Sequence, residues 1–382
     1  MFIILKELGL VMIWIFTAVL AGFGVSPNAA IAPDLRPPAP IVVDSVSTTT
    51  TEPAPEEEVV EASPTAEEPT TPNESTDPFS GLADAFARLA DDPIVNPPQT
   101  TSIANVNDVV RGSLVNIICL TETSGLFNSI SASGVIIDSR GVILTNAHVA
   151  QFFLLKDYPE ANFVQCTVRT GSPAEPKYTA ELLYLPPSWI EDNAQKIDDA
   201  RPTGNGEHDY ALVRITGMVN KNIALPSSFP ALSVALGIPD TDDSVLVAGY
   251  PAGFLGGITI AKELYAASAQ AQVGQLYTFG SQSIDLFSIG GSVVAQQGSS
   301  GGAVANGKGT LVGVIVTSSD SPNTASRDLR ALTTQYVISD FEKESGISLA
   351  SFLSGSLVER AQAFKQNVAP ALTKALVDVL EN

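Results

Sequence analysis

Basic residues are scarce in this chain. Its 382 residues hold 20 Lys and Arg against 41 Asp and Glu, a formal net charge of −21. A phosphate backbone would be repelled by that balance, which excludes nucleic acid as a partner. Cysteine is scarcer still, with only Cys119 and Cys166 present. A bridge between them outside the cytoplasm and a pair of free buried thiols are equally compatible with the sequence. Histidine is limited to His148 and His208, so any chemistry that needs an imidazole has two candidates. No internal repeat is present, which excludes a solenoid.

What the chain does have, first, is an apolar N-terminus. Leu8 to Val25 is 18 uncharged residues, and at helical rise such a run reaches roughly 27 Å, enough to cross a bilayer core. Residues 1–25 are therefore expected to be a transmembrane signal-anchor, with a cleaved signal peptide as the competing reading. Asn28-Ala29-Ala30 is a poor cleavage site, which favours the anchor. Either way the remainder is exported, as a membrane-anchored extracytoplasmic domain or, after cleavage, a secreted one. Residues 26–103 are rich in Pro, Thr and Glu and poor in large apolar residues. They cannot bury enough surface to offset the entropy of ordering, so a disordered stalk is expected there.

Three short stretches carry chemistry. Gly298-Ser299-Ser300-Gly301-Gly302 sets a serine among glycines that let the backbone turn sharply and aim successive N–H groups at one spot. Gly141-Val142-Ile143-Leu144-Thr145-Asn146-Ala147-His148 runs an apolar strand into a histidine, and Asp209 stands at the mouth of the alternating segment Tyr210 to Ile215. A serine hydroxyl needs a base within hydrogen-bond reach, and the base needs an anion to fix its tautomer. Here the order along the chain is His148, Asp209, Ser300.

In these stretches the chain resembles the trypsin-like serine peptidases of the chymotrypsin fold, especially their bacterial HtrA/Deg branch. TNAHV, DYALVRI and GSSGG match the three signature blocks of that family in order, and Gly249-Tyr250-Pro251-Ala252-Gly253 looks like its GxPxG turn. The resemblance implies an all-β fold of two antiparallel six-stranded barrels over residues 104–345, barrel 1 at about 104–220 and barrel 2 at about 230–340. A helical tail over 346–382 is too short for the PDZ module that many relatives carry. It also implies roles: Ser300 as nucleophile, His148 as general base and then acid, Asp209 as its orienting partner, and the amides of Gly298 and Ser300 as the oxyanion hole. Position 299 is serine where pancreatic enzymes carry an aspartate that pairs with a newly cut N-terminus, so no such activation switch is expected. The base of the S1 pocket falls on Val294, with Val316, Thr317 and Ser318 as candidate walls. An apolar floor there would suit small or medium apolar P1 side chains.

Several finer expectations follow from periodicity. Strands are expected near 114–120, 131–138, 142–145, 163–168, 178–184, 244–248, 258–267, 275–279, 283–287, 302–306, 311–317 and 331–334, with a polar loop over 186–206. Helices are expected over 336–344 and along the stripe from Leu357 to Leu380, packed by default against the second barrel. His208, adjacent to Asp209 in a segment read as strand, is expected to face away from it, as a structural or surface residue. The function expected is a serine endopeptidase acting on extracytoplasmic proteins through an acyl-enzyme, without cofactor or metal. Its partners would be a protein or peptide substrate and the membrane, with self-association open. The alternative is an inactive protease-like binding module displayed on the membrane.

Overall fold

Short runs of β-branched residues between glycine-bearing turns favour strands over helices. In the computed structural model, residues 103–122, 128–199, 204–253, 255–280, 283–318 and 326–382 are described. All belong to one of the two units into which the chain divides, Pro93–Asn382. The expected membrane anchor and nearly all of the expected stalk lie outside the described residues, and no helix among those described is long and apolar enough to cross a membrane.

Helix α1 (Ile103–Ser113) leads into β1 (Leu114–Thr121), β2 (Ile130–Asp138) and β3 (Val142–Thr145); after α2 (Ala147–Ala150) come β4 (Val164–Thr170) and β5 (Glu175–Tyr184). Helix α3 (Pro187–Asn193) and then β6 (Ala211–Met218) complete this half. The six strands close into an antiparallel barrel in the order β1-β2-β3-β6-β5-β4. Its β2–β3 turn needs Gly141, at φ +87°, because a Cβ there would press on Phe229 and Ile215 at 3.0–3.2 Å. Cys119 and Cys166 stand opposite one another on β1 and β4 and form a disulfide. The stretch expected as a polar loop holds α3 and a 3-10 turn instead, because Trp189 and Ile190 turn inward and are buried.

The second half contains β7 (Ser244–Gly249), α4 (Gly257–Lys262), β8 (Ala267–Gln272), β9 (Leu276–Tyr277), β10 (Leu286–Gly290), β11 (Ala303–Asn306), β12 (Leu311–Ser318) and β13 (Leu329–Thr333). They form one antiparallel sheet in the order β8-β7-β11-β12-β13-β10-β9. The double-barrel architecture thus holds in outline. The second half differs in detail, with seven strands and no ladder joining β8 to β9 among the described residues. The expected strand 258–267 is a correction: Gly257–Lys262 is helical, and Ile258 stands 78% exposed. Only at Ala267, where small and polar residues alternate, does a segment pair with β7.

Four helices end the chain: α5 (Thr334–Ser345), α6 (Leu349–Ser354), α7 (Leu357–Asn367) and α8 (Ala369–Leu380). The first three begin on capping hydroxyls of Thr333, Ser348 and Ser356, each accepting a backbone N–H. Gly346, at φ +75°, ends α5, and Pro370 sits in the first turn of α8. α5 lies against β12 and β13 of the second half, as expected, with Tyr336 on Phe279 at 5.1 Å between ring centroids, whereas α6 to α8 pack toward the first barrel, not the second as expected. Tyr184 at the end of β5 gathers Phe341 at 4.5 Å, Phe364 at 6.2 Å and Phe352 at 6.3 Å between ring centroids. Thr373 Oγ1 also donates to the Leu154 carbonyl (3.3 Å), and the Arg140 guanidinium donates to the carbonyls of Leu353 and Gly355. An aromatic surface at the end of β5 thus decides where the tail's apolar stripe lies.

Candidate active site

Two of the three expected groups are set by one strand ladder. β3 and β6 are neighbours, with Thr145 opposite Ala211. Three residues beyond Thr145 the chain has turned into α2 and carries His148, and two residues before Ala211 it carries Asp209. The side chains meet: His148 Nδ1 is 2.7 Å from Asp209 Oδ2, and the His148 backbone N–H donates to Oδ1 at 3.0 Å. Both carboxylate oxygens are thereby engaged, and buried Asn146 fixes the backbone of Asp209 by donating from Nδ2 to its carbonyl at 2.8 Å. An Nδ1–H donated to Asp209 leaves Nε2 as the acceptor, the tautomer a general base requires. Burial pushes the His148 imidazole toward neutrality, but the charge and hydrogen bond of Asp209 outweigh it and raise its pKa. Its side chain is 27% exposed, open enough to meet a substrate.

The serine loop is held from the other side. Ser299 is fully buried, its hydroxyl without a hydrogen-bond partner among the described residues, whereas Ser300 is half-buried. Burial therefore distinguishes the two serines. The Gln297 carbonyl accepts from Ala252 N–H (2.7 Å) and the Ser299 carbonyl from Gly302 N–H (2.9 Å). A trans peptide directs its N–H opposite to its carbonyl. The N–H groups of Gly298 and Ser300, on these same two peptides, make no hydrogen bond among the described residues. The amide between them, that of Ser299, is spent on Gln296 O at 3.2 Å. Free first and third amides with a committed second are what an oxyanion site requires.

Ser133 on β2 joins the two halves and is the residue that sequence reasoning missed. Its N–H donates to Ser300 O (2.8 Å), and its carbonyl accepts from Thr145 Oγ1 (2.8 Å). Its hydroxyl donates to Gly298 O (2.7 Å) and accepts from Tyr250 N–H (2.8 Å). The only sign in the sequence was a serine inside an apolar strand, a hydroxyl that must find partners if buried. The serine loop lies so close to β2 and β3 that a Cβ on Gly301 would collide with Ser133 O and come within 2.5 Å of Thr145 Oγ1. Among the described residues no hydrogen bond joins Ser300 to His148.

The remaining expected residues are less gathered. Val294 is wholly buried in the hydrophobic cluster of Phe287 and Ile315, while Val316 belongs to the other cluster and covers Gly206. The structure therefore does not bring these two into one wall. Thr317 and Ser318 extend β12, their backbones opposite Arg330 and Leu329. His208 is not in a strand, which corrects the premise of its expected orientation. It holds φ +57° in the turn before β6 and pairs with Asp340 of α5 at 2.8 Å. Among the described residues no cluster of metal-ligand type includes His148, Asp209 or Ser300.

Residues 132–314 match a family model described as the trypsin-like peptidase domain. No curated protein matches the chain. Among solved structures, the active form of the Rv3671c protease from M. tuberculosis is 19% identical, covering 75% of this chain and 94% of that one, with a TM-score of 0.38. Its inactive form is 20% identical over 66% and 99%, at 0.39. A serine endoprotease from Yersinia pestis is 21% identical over 64% and 66%, at 0.40. Likenesses at this level say nothing of substrate or site.

Proposed function

Starting from the trypsin-like peptidase domain that makes this chain a serine endopeptidase, we propose that His148, Asp209 and Ser300 are its catalytic residues. Ser300 Oγ attacks the scissile carbonyl carbon while His148 Nε2 takes its proton, and the new imidazolium is stabilised by Asp209 through Nδ1–H. The carbonyl oxygen, now an anion, is received by the N–H groups of Gly298 and Ser300, each such donor contributing about 3–4 kcal/mol to the transition state. On collapse the peptide nitrogen leaves with the proton from His148, and the acyl group stays on Ser300. Water, deprotonated by the same imidazole, attacks the ester, and the serine regains its proton. The observation that carries this reading is the His148–Asp209 pair at 2.7 Å beside two uncommitted amides of the serine loop.

The rest of the proposal concerns place and substrate. The peptidase domain spans 104–345, carried on the stalk of 26–103 and anchored by residues 1–25 outside the cytoplasm, where it cleaves envelope proteins, as in the HtrA/Deg branch. A disulfide between Cys119 and Cys166 suits an oxidising compartment. Small or medium apolar side chains are the proposed P1 residues. Ser300→Ala should abolish casein cleavage and labelling by a fluorophosphonate; persistent labelling of that variant rejects the assignment. The missing Ser300–His148 hydrogen bond favours a second reading, an inactive binding module. That reading requires the wild type itself to resist the probe.

A further inference from the structure

Away from the His148–Asp209 pair, the structure gathers a second set of ionisable side chains that the proposed chemistry does not use. His208 Nδ1 lies 2.8 Å from Asp340 Oδ2, across 132 residues of sequence. One ligand atom from each of His208, Asp340 and Glu344 lies within 4.8 Å of the other two. The side chains of His208 and Asp340 are only 12% and 5% exposed. Glu344 is half-buried and accepts a hydrogen bond from Ser188 Oγ at 2.6 Å.

The cluster is short of positive charge. Asp340 and Glu344 stand four residues apart on one face of α5, where like charges repel. Both lie in its C-terminal half, and the negative end of a helix disfavours anions. Among the described residues neither carboxylate has a Lys or Arg in salt-bridge reach, so one imidazole faces two acids. Aromatic side chains wall the site, with Tyr184 and Tyr210 stacked at 6.4 Å and Tyr184 against Phe341, the neighbour of Asp340. Both tyrosines are buried, and the Tyr210 hydroxyl lies beside both the Tyr184 hydroxyl and the Asp340 carboxylate. The charge of Asp340 acts on both hydroxyls, and that of Glu344 on Tyr184 as well, which sets the two at the rim of the cluster. A negative excess in such surroundings calls for a cation.

We propose that His208, Asp340 and Glu344 bind one divalent transition-metal ion of the zinc class. An imidazole with two carboxylates suits zinc better than the all-oxygen shells of calcium or magnesium. A tetrahedral ion at about 2.0–2.1 Å from its donors holds them roughly 3.3–3.4 Å apart, within what small rotations of these side chains allow. The ion takes the place of the proton shared by His208 and Asp340, and water or a tyrosine hydroxyl fills the fourth position. It would tie α5 to the turn that delivers Asp209, the residue after His208. That link to hydrolysis rests on the proposed triad, whereas the binding itself does not.

The test is melting of the chelator-treated full chain with ZnCl2, MnCl2, CaCl2 or MgCl2. Zinc should raise the melting temperature by roughly 5 °C at one equivalent. Glu344→Gln, at the half-exposed ligand, should remove the rise, and His148→Ala, which eliminates the other imidazole, should keep it. As a check that needs no ligand variant, cobalt taken up by the His148→Ala protein should show visible absorption distinct from that of the aquo ion. The proposal is overturned if zinc leaves the melting unchanged, or if only calcium or magnesium raises it. It is also overturned if the rise survives in Glu344→Gln or is lost in His148→Ala, or if cobalt keeps its aquo spectrum.

Discussion

The two halves of the domain hold their share of the site in different ways. In the first, His148 and Asp209 follow from adjacent strands of a closed barrel that is also bridged by a disulfide. In the second, Ser300 sits on a loop before β11, in a sheet that hydrogen bonding leaves open. That loop is fixed by polar contacts from Ala252 and from Ser133, a residue of the opposite half. Strand register thus sets the base, and a small hydrogen-bond network sets the nucleophile and its amides. The first arrangement is rigid by topology. The second depends on single side chains and is the easier to disturb.

The largest expected effect comes from breaking the register-set pair. Asp209→Asn should lower kcat by about four orders of magnitude, as the loss of an orienting carboxylate does in serine peptidases generally. In the wild type the acid limb of kcat/KM should lie above the ordinary imidazole value of about 6.5, because Asp209 raises the pKa of His148. With Asp209 gone only burial is left, which lowers it, so the limb should move down. The sign for stability is opposite to that for activity. The pair's contribution is complete below the unfolded imidazole pKa and is lost as pH rises through the raised folded value. Acid should therefore favour the fold and alkali the chemistry. A pH series of rates and melting temperatures on both proteins checks this; a limb that stays put in Asp209→Asn contradicts it.

Ser133→Ala attacks the network instead. It strands the Gly298 carbonyl and the Tyr250 N–H, both of which depend on that hydroxyl. A loss of about 1–3 kcal/mol is expected for buried groups left unpaired. Slackening of the Gly298 peptide should also cut kcat by about a hundredfold, as for the loss of an oxyanion donor. Urea unfolding and steady-state kinetics separate the two effects. A rate as high as wild type would show that the loop holds its shape without Ser133. Removing the disulfide as Cys119→Ser with Cys166→Ser should do the reverse. It should cost about 2–4 kcal/mol of stability and leave the rate at 25 °C unchanged, since β1 and β4 remain paired through a six-residue ladder.

This same division decides what the sequence reveals. Strands of the first barrel are legible because Val, Ile and Leu recur in short runs between turns, and TNAH and HDYAL place both partners at strand ends. The tail's helices are legible from their stripe, but not their docking, because nothing local says that Tyr184 will collect Phe341, Phe352 and Phe364. Segment 258–267 misleads because its apolar residues fit one exposed helical turn as well as a strand. Ser133 and the pairing of His208 with Asp340 are long-range polar contacts, invisible to periodicity. In the serine loop the sequence offers two adjacent hydroxyls, and only folding buries one of them.

That last distinction gives the most direct test. The wild-type protein should be treated with a fluorophosphonate and digested, and the adduct located by tandem mass spectrometry. The account predicts one phosphonyl group per chain, on Ser300, and none on Ser299. An adduct on Ser299, or no adduct from a folded protein, contradicts it.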